Sequence, residues 1–456
     1  MDQRLVMEAL ASPKDADDAL AVLESNGIER VHVGIFDLDA AFREQRLPID
    51  QVRRALAGGY SFCNVLHKWD SGESVYGEAP YVDEPVHLDP ASLRRYPFEA
   101  DAGLIIADYA GPSRQLSPRE LLKAQLARAE ALGFGVRAAL EFEFIVLDES
   151  AESLRDKGFD DLSLFAADNR CWSGVTAATN AGFVAGLEDT AGVLGIPLHR
   201  LGMELGPGCF EATLAARGAL AAADDAALFK VATKAFCRER DLTASFMAQL
   251  STDFPGLSGH VHLSLTDKDS GAPLFHDPDD AAGISAPMRH FIGGLVTLLP
   301  ECLALCSHTV NAYRRMVPGN WAPRTPTWGI GNYTTAVRAV AGAPEDARVE
   351  FRVPAADTNP YLAMALCLGA GLWGLEQAAE PPEPLAGDGR EIVPEGLEAL
   401  PRNLSEASER LATSEAARLC FSDAFIDHFV RSRRREVEAV ERHVSAFERA
   451  RYIEVV

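Results

Sequence analysis

One segment of the sequence carries two glutamates in a setting that favours chemistry. Residues 136–147 alternate in a way that predicts a β-strand, because successive side chains of a strand point to opposite faces. The alternation puts Glu141 and Glu143 on one face and Phe142 and Phe144 on the other. Two acids on one strand face are more often solvated, since unpaired carboxylates are costly to bury. The apolar residues on both sides of this pair favour a cation-filled pocket instead.

A second predicted strand, residues 259–265, repeats the design with different chemistry. His260, His262 and Ser264 share one face, and aliphatic residues occupy the other. A single histidine is usually a satisfied core or surface residue. Two histidines aligned with a hydroxyl make a metal or phosphate site about as probable as an ordinary core or surface position.

A third predicted strand, residues 348–353, aligns Arg348, Glu350 and Arg352 opposite three apolar residues. Taken alone, this pattern is more typical of a charge ladder on a protein surface. The recurrence of one half-apolar, half-ionisable design on three strands favours a shared site.

A turn-rich loop between the first two strands adds two more acids. Its glycines would allow Glu204 and Glu211 to converge. The combined candidate metal ligands are Glu141, Glu143, Glu204, Glu211, His260 and Glu350. Oxygen-rich donors suit hard divalent cations such as Mg²⁺ or Mn²⁺, whereas zinc or copper would recruit more nitrogen or sulfur. The carboxylates exceed what one octahedral ion with bound waters needs, so the sequence predicts two or more ions.

Positive charge is also available in the same half of the sequence. The arginines are Arg315, Arg338, Arg348 and Arg352. Metal ions bridging an anion beside guanidinium groups indicate a polyphosphate together with a carboxylate substrate.

The elements that must position these residues suggest two domains. At 456 residues the chain is long for a single core. Residues 1–112 carry short β-like runs and predict a small α+β domain. The segment from Ser117 to Glu120 has the signals of a helix start, so a second domain over 113–456 is predicted, with helices and strands alternating. Helical periodicity is strong over residues 219–238, 288–305, 361–377 and 425–449.

Composition argues against several classes of partner. The net charge of -24 would repel nucleic acid and anionic membranes. The one dense basic run, residues 431–435, is followed by glutamates and predicts a solvated helix face. The apolar run at residues 361–375 is too short to span a bilayer comfortably, and the start of the chain has no apolar signal core. We therefore expect a cytoplasmic protein with no nucleic-acid or membrane partner.

Five ordered motifs make the sequence resemble the glutamine synthetase family along nearly its whole length. The motifs are Glu141-x-Glu143, Glu204-x-Gly-Pro-Gly-x-x-Glu211, Ser258-Gly259-His260-x-His262-x-Ser264, Asn311-Ala312-Tyr313-Arg314-Arg315 and Arg348-x-Glu350-x-Arg352 followed by Asn359-Pro360-Tyr361. Each motif is short, but their ordered combination is highly specific. The end of the chain also resembles the closing helix of the bacterial class.

The resemblance implies a role for each candidate residue. Glu143, Glu204 and Glu211 would hold the metal nearer the acid substrate, and Glu141, His260 and Glu350 the metal on the nucleotide. Gly256, Arg315 and Arg352 would bind glutamate, while His262, Ser264, Arg338 and Arg348 would line the ATP site. Asp37 would help to bind and deprotonate the amine, although Asp39 is close enough to compete for that role.

The resemblance also implies a fold, an assembly and a mechanism. The fold would be a small β-grasp-like domain followed by a catalytic domain with a curved antiparallel sheet flanked by helices. The assembly would be a dodecamer of two hexameric rings, in which Asp37 acts across a subunit interface. In the mechanism, ATP phosphorylates a side-chain carboxylate and an amine attacks the acyl phosphate.

One departure from the family concerns the nucleophile. The family has a flap glutamate over the ammonium site, and this chain has Trp321 in its place, within Pro318-Gly319-Asn320-Trp321-Ala322-Pro323. A tryptophan removes a negative charge and adds a large apolar surface, which suits an organic amine better than ammonium. The neighbouring motifs also resemble glutamate-polyamine and other glutamate-amine ligases. The alternative is that Trp321 merely packs a loop.

A second departure concerns the phosphate site. Tyr333 stands where the family has an arginine, and Arg324 is a candidate to replace the lost guanidinium. Cys209 and Pro255 replace a family glutamine and asparagine near the substrate loop. We expect a glutamate-amine ligase that uses ATP and Mg²⁺ or Mn²⁺. The alternatives are the same chemistry with ammonia or another acid, and a catalytically silent scaffold.

Overall fold

The structure, a computed structural model, describes residues 7–390 and 392–456. Its strands are β1 (Arg30–Phe36), β2 (Phe42–Pro48), β3 (Ser61–Cys63), β4 (Asp83–Leu88), β5 (Arg94–Arg95), β6 (Ala102–Tyr109), β7 (Phe134–Leu147), β8 (Leu198–Met203), β9 (Cys209–Leu214), β10 (Arg217–Gly218), β11 (Thr243–Ser245), β12 (Val261–Asp267), β13 (Trp328–Ile330), β14 (Val337–Val340) and β15 (Arg348–Phe351).

The helices alternate with these strands through most of the chain. They are α1 (Ala16–Ser25), α2 (Ile49–Leu56), α3 (Pro118–Ala131), α4 (Ala151–Asp156), α5 (Gly174–Thr179), α6 (Ala181–Val193), α7 (Ala219–Arg238), α8 (Ala286–Cys302), α9 (Ala312–Arg315), α10 (Pro360–Glu376), α11 (Leu404–Thr413), α12 (Glu415–Phe421), α13 (Asp423–Glu441) and α14 (Ala446–Tyr452). The mixture of helices with two separate sheets confirms the predicted α+β class.

The smaller sheet is built from the first six strands in the order β2-β1-β6-β4-β3, with β5 paired to β6. β1 is parallel to β6 and antiparallel to β2. Most of its buried apolar residues form a cluster confined to residues 19–109. Phe36, Leu38, Leu104 and Ile106 instead belong to the larger cluster, which continues through the second part of the chain. The boundary between residues 112 and 113 stays a prediction.

The larger sheet follows the order β13-β14-β15-β12-β7-β9-β8, with β10 and β11 also paired to β7. β7 is central because it pairs with β12 and β9 and also with β10 and β11. Alternation over residues 141–144 buries Phe142 and Phe144 fully on one face while Glu141 and Glu143 lie on the other. β12 and β15 pair antiparallel with their neighbours, as predicted. All three strands that the sequence singled out are therefore adjacent.

Two sequence predictions need correction. The sheet is not wholly antiparallel, because β13 and β14 pair in parallel through a short connection that carries Tyr333. The predicted helix over 425–449 is two helices, α13 and α14, because Ser445 starts a new one. Its hydroxyl accepts from the Glu448 backbone N–H, and the Glu448 carboxylate accepts from the Ser445 N–H.

The predicted solvated face of residues 431–435 is wrong for Arg433. This side chain is 2% exposed and its guanidinium lies 2.8 Å from the Asp39 carboxylate. Asp39 lies in the turn between β1 and β2 of the smaller sheet. The ion pair with Arg433 therefore joins α13 to the part of the chain that carries this sheet. The neighbouring Arg431 and Arg434 are exposed.

One helical stretch, Ala286–Leu305, is long and apolar enough to cross a membrane. Most of it, 78% of its most apolar window, lies inside the protein, where α8 packs against α10. Such burial is typical of a core helix of a folded domain. The predicted lack of a membrane partner and the predicted compartment stay expectations.

A pair of buried histidines at the same junction gives a pH prediction. His428 on α13 contacts the backbone carbonyl of His67, and burial lowers the pKa of His67 to about 3 and that of His428 to about 4. Both are below the ordinary value of 6.5, so the unfolded chain binds protons first. The stability that the two neutral histidines contribute is therefore complete above about pH 6.5. It is lost as the pH falls from there toward their lower pKa values in the folded protein.

We expect His428→Gln, which keeps a side-chain N–H donor, to flatten this dependence. Each such group contributes at most about 1.4 kcal/mol per pH unit to the slope of unfolding free energy. Urea unfolding at several values from pH 7 to pH 5 measures the slope. The exposed His443 gives the control variant His443→Gln. An unchanged slope in the His428 variant would contradict the prediction.

Candidate active site

A cavity of about 990 Å³ lies against the polar side of β7, β12 and β15. Its lining includes almost every residue that the sequence predicted for the site. These are Glu141, Glu143, Glu204, Glu211, Gly256, His260, His262, Ser264, Arg315, Trp321, Arg338, Arg348, Glu350 and Arg352. Asp37 is absent from this lining. The tertiary structure thus brings together segments that are more than 200 residues apart in sequence.

The centre of the site is a cluster of two carboxylates and two histidines. The Nδ1 atom of His260 lies 2.6 Å from Glu141 Oε1 and 3.5 Å from Glu350 Oε1. The Nε2 atom of His262 lies 3.5 Å from Glu141 Oε2. β12 lies between β7 and β15 in the sheet, and this placement makes the contacts possible.

This cluster fits a divalent cation. Ligand atoms of Glu141, His262 and Glu350 lie within 4.8 Å of one another. The Nε2 atom of His260 is buried without a hydrogen-bond partner among the described residues. Burial, with the charge of Arg352, lowers the pKa of His260, so the imidazole is neutral as a metal ligand requires. The strand pattern left a metal or a phosphate role open for His262, and the family resemblance implied the ATP site. Its position in the structure also suits a metal ligand.

Both carboxylates of the cluster are ionised. Burial opposes the charge of Glu141, but hydrogen bonds from His260 and His262 hold its pKa well below the usual range. Burial likewise opposes the charge of Glu350, and Arg352 with the two histidines more than offsets this and lowers its pKa to about 2. Anionic ligands are therefore in place at neutral pH.

A second acidic group lies beside the first. Glu143 and Glu211 are direct cross-strand partners on β7 and β9. Burial raises the pKa of Glu143 to about 7, and the nearby charge of Glu204 adds to the rise. A divalent cation beside Glu143 would offset both effects. Among the described residues, the group whose ligand atoms lie within 4.8 Å of one another is Glu141, His262 and Glu350, so a second ion at Glu143, Glu204 and Glu211 stays a prediction. Glu211 also forms an ion pair with Arg200, a residue that the strand pattern did not reveal.

Arg315 and Gly256, two of the candidate glutamate-binding residues, are held in place by close contacts. Arg315 is 2% exposed, and its guanidinium donates to the carbonyl of Val353 at 2.9 Å and to the hydroxyl of Ser258 at 3.0 Å. Gly256 passes close beside it. A Cβ at that glycine would collide with Arg315 Cγ and lie 2.8 Å from Gln249 Oε1. The glycine therefore permits a close approach of the loop to the arginine.

The two arginines nearest the first cluster converge on Glu350. Arg338 donates to Glu350 Oε2 at 2.7 Å, and Arg352 donates to Glu350 Oε1. The family resemblance places His262 and Arg348 at the ATP site, and in the structure Arg348 Nε donates to His262 Nδ1 at 3.2 Å. The cavity thus presents guanidinium groups beside paired carboxylates, an arrangement that suits phosphoryl transfer with metal ions.

Tyr333 contributes its ring where the family has an arginine. The guanidinium carbon of Arg338 lies 4.0 Å from the ring centroid, and that of Arg352 lies 5.3 Å from it. Arg352 Nε also donates to the Tyr333 carbonyl at 3.1 Å. Arg324, the candidate replacement, is not among the residues that line the cavity. The structure instead indicates that the tyrosine orients two arginines that the chain already has.

We expect Tyr333→Ala to lower kcat by about tenfold, because Arg338 and Arg352 lose the ring that orients them. Tyr333→Phe keeps the ring and should retain turnover within about threefold. Initial rates of ATP-dependent amide formation measure both variants. If both variants lost the same amount of kcat, turnover would depend on the Tyr333 hydroxyl and not on the stacking of its ring against the arginines.

Asp37 lies at the junction of the two parts of the chain. Its carboxylate accepts from Arg43 Nε at 2.8 Å and from the Ala41 backbone N–H at 2.8 Å. Burial raises its pKa, which is opposed by Arg43. Asp39 is fixed by Arg433, so the two acids that competed in the sequence have different surroundings. Whether Asp37 completes the site of another subunit stays a prediction.

Comparison with known proteins identifies the class. A model of the glutamine synthetase catalytic domain matches residues 115–452. The chain therefore belongs to the glutamine synthetase family, and the predicted family and ligase class are confirmed.

Two relatives and one solved structure are similar to this chain over most of its length. Type-1 glutamine synthetase 2 of Dictyostelium discoideum is 34% identical over 432 residues, which cover 92% of this chain and 82% of the relative. A glutamate-isopropylamine ligase of a Pseudomonas species is 31% identical over 445 residues, covering 95% and 97%. The solved structure of a GmaS/ADP complex matches with a TM-score of 0.83 at 27% identity, covering 96% of this chain and 99% of that one.

Proposed function

We propose that this protein joins the γ-carboxylate of glutamate to an organic amine, using ATP with Mg²⁺ or Mn²⁺. The observation that carries the proposal is the meeting of the candidate carboxylate ligands and the four predicted arginines in one cavity. A carboxylate substrate and a polyphosphate can share that cavity only if cations and guanidinium groups neutralise their charges.

The reaction would proceed in two steps, phosphorylation of the carboxylate and attack by the amine. A γ-carboxylate oxygen of glutamate attacks the terminal phosphorus of ATP, ADP leaves, and γ-glutamyl phosphate forms. The neutral amine then attacks the acyl carbon, phosphate leaves, and the amine nitrogen loses one proton. Bound divalent cations supply charge neutralisation on the phosphate oxygens.

The chain's own residues supply binding and orientation. Glu141, His260 and Glu350 would hold one ion, with His262 within reach of it. Glu143, Glu204 and Glu211 would hold the other. Arg338, oriented by Tyr333, would face the transferring phosphoryl group. Arg315 and Arg352 would bind the carboxylates of glutamate, since bidentate guanidinium groups match that geometry.

The choice of an organic amine rests on Trp321 and on the relatives. Trp321 is 54% exposed and lines the cavity, so the alternative of a merely packed loop residue is disfavoured. One relative bears the name glutamate-isopropylamine ligase. Another bears the name glutamine synthetase, so ammonia is the second candidate nucleophile.

The proposed assembly is a dodecamer in which Asp37 of one subunit reaches the cavity of its neighbour. Its support is that Asp37 does not line its own chain's cavity. Mass photometry of the purified chain tests the assembly, and a monomer with full activity would contradict it. The cytoplasm is the proposed compartment.

The function is tested with purified protein, glutamate, ATP and Mg²⁺. Phosphate release and the mass of the amide product are followed with ammonia, isopropylamine, ethanolamine, an aniline and a polyamine. We expect amide formation with at least one organic amine to exceed that with ammonia, and chelation by EDTA to abolish it until Mg²⁺ or Mn²⁺ is added. Product from ammonia alone would reject the organic amine. No product with any acid or amine would favour a silent scaffold.

A further inference from the structure

The loop before α5 places a tryptophan on the cavity wall. Trp172 lines the cavity with 71% of its surface exposed, although tryptophans are usually well buried. Its backbone has φ of 54°, in the left-handed region that a bulky side chain rarely adopts. Backbone strain of this kind tends to occur at functional sites.

Trp172 is held in place rather than free to swing. Its indole Nε1 donates to Glu204 Oε2 at 2.9 Å, and the thiol of Cys171 lies 3.3 Å from Glu204 Oε1. The buried amide of Asn169 donates to the carbonyls of Glu204 at 2.7 Å and Gly206 at 2.8 Å. The loop therefore fixes the ring beside Glu204.

A chain of contacts connects this tryptophan to Trp321. Gly206 approaches Pro255, and a Cβ on Gly206 would lie 3.1 Å from the Pro255 ring. The next residue, Gly256, touches Arg315, whose carbonyl accepts from Asn320 Nδ2 at 2.9 Å. Trp321 follows directly. Both exposed indoles therefore lie on segments that are linked through Gly256 and Arg315, and both rings line the same cavity.

The charges around these indoles are already paired. Arg390 lies 5.5 Å from the Trp321 ring centroid and forms an ion pair with Asp388. Glu204 accepts from Trp172 and belongs to the proposed metal ligands. The other carboxylates that line the cavity are the proposed metal ligands, together with Glu345 and Asp346 on the segment that leads to Arg348. An amine with an apolar body has two large ring surfaces to contact, whereas a second ammonium group near the indoles would compete with a metal ion or with the Trp172 N–H for a carboxylate.

We propose that Trp172 and Trp321 form the two walls of the amine site and select monoamines with an apolar body over diamines and polyamines. This inference rests on the proposed function and adds the substrate class and Trp172 as a specificity-determining residue. It decides between the bulky apolar amine and the polyamine that the sequence left open.

The test compares n-butylamine with putrescine, which has the same four-carbon chain and one additional amino group. We expect kcat/KM for n-butylamine to exceed that for putrescine by at least about tenfold, the scale on which a pocket discriminates between close analogues. Equal values, or a preference for putrescine, would overturn the inference while leaving the proposed function intact. No product from any amine would instead reject the proposed function, and the inference with it.

Substitutions separate the ring from its N–H group. Trp172→Ala should lower kcat/KM for n-butylamine by about 10- to 100-fold, mainly through KM, and should change that for ammonia much less. Trp172→Phe keeps an apolar ring but removes the donor to Glu204, so any loss from the missing N–H should be similar for all amines. A loss in Trp172→Ala that is also equal for all amines would overturn the proposed wall.

Phe159 provides a matched control. It is 65% exposed, has φ of 63° and is not among the residues that line the cavity. Phe159→Ala removes an exposed aromatic ring from the same segment of the chain. The ratio of kcat/KM values for n-butylamine and putrescine should be unchanged in this variant.

Discussion

Replacing Glu350 with glutamine is expected to lower kcat on the order of 10³-fold. The substitution keeps the shape of the side chain and removes its charge. Glu350 lies within 3.5 Å of the His260 ring and accepts from both Arg338 and Arg352. A neutral amide would weaken the binding of the nucleotide's cation and release two guanidinium groups from their orientation.

The measurement is steady-state amide formation at saturating glutamate and amine, over a range of Mg²⁺ concentrations. We expect the Mg²⁺ requirement to rise together with the loss of kcat. Glu345→Gln is the control, because Glu345 is an exposed acid that lines the same cavity and is not a proposed ligand. Wild-type dependence on Mg²⁺ in the Glu350 variant would contradict its role in the metal site.

Replacing Gly256 with alanine is expected to lower kcat/KM for glutamate by about 10²-fold, because a displacement near 1 Å in a binding residue has effects of this size. The added methyl group would collide with Arg315 Cγ and lie 2.8 Å from Gln249 Oε1. Arg315 cannot move away easily, since its guanidinium is fixed by Val353 and Ser258.

We expect the effect of Gly256→Ala to be specific to glutamate. The loss should appear in kcat/KM for glutamate, while the KM for ATP stays near that of the unmodified protein. Gly202 on β8 supplies the control, because a Cβ there would meet no atom within 4 Å. If Gly202→Ala and Gly256→Ala had equal effects, the close approach to Arg315 would have no functional importance.

Periodicity in the sequence predicted which face of a strand each candidate site residue occupies. On β7, the alternation of Glu141 and Glu143 with phenylalanines needs no tertiary information, because the face of a residue in a strand depends only on its position. The same holds for His260 and His262. The family motifs then supplied the order of the segments and an expected role for each residue.

Contacts outside the three predicted strands were predicted much less well. Neither Trp172 nor Arg200 belongs to a periodic pattern, and their contacts with Glu204 and Glu211 depend on how distant segments fold back. The glycine-rich loop at residue 206 was the only signal in that region. The stacking of Tyr333 on two arginines was likewise invisible, since a sequence shows the loss of a guanidinium but not the ring geometry that replaces it.

The amino-acid sequence by itself determined the family, the α+β class and the alternation that puts acidic and imidazole side chains opposite the apolar face of a strand. These features are local, because they depend on residue type and on a period of two along a strand. Only the tertiary structure decided that β12 lies between β7 and β15, that Arg433 is buried against Asp39, and that Trp172 stands beside Glu204. Such pairings join residues far apart in the chain, and they are selected by the burial of the whole core rather than by any single segment.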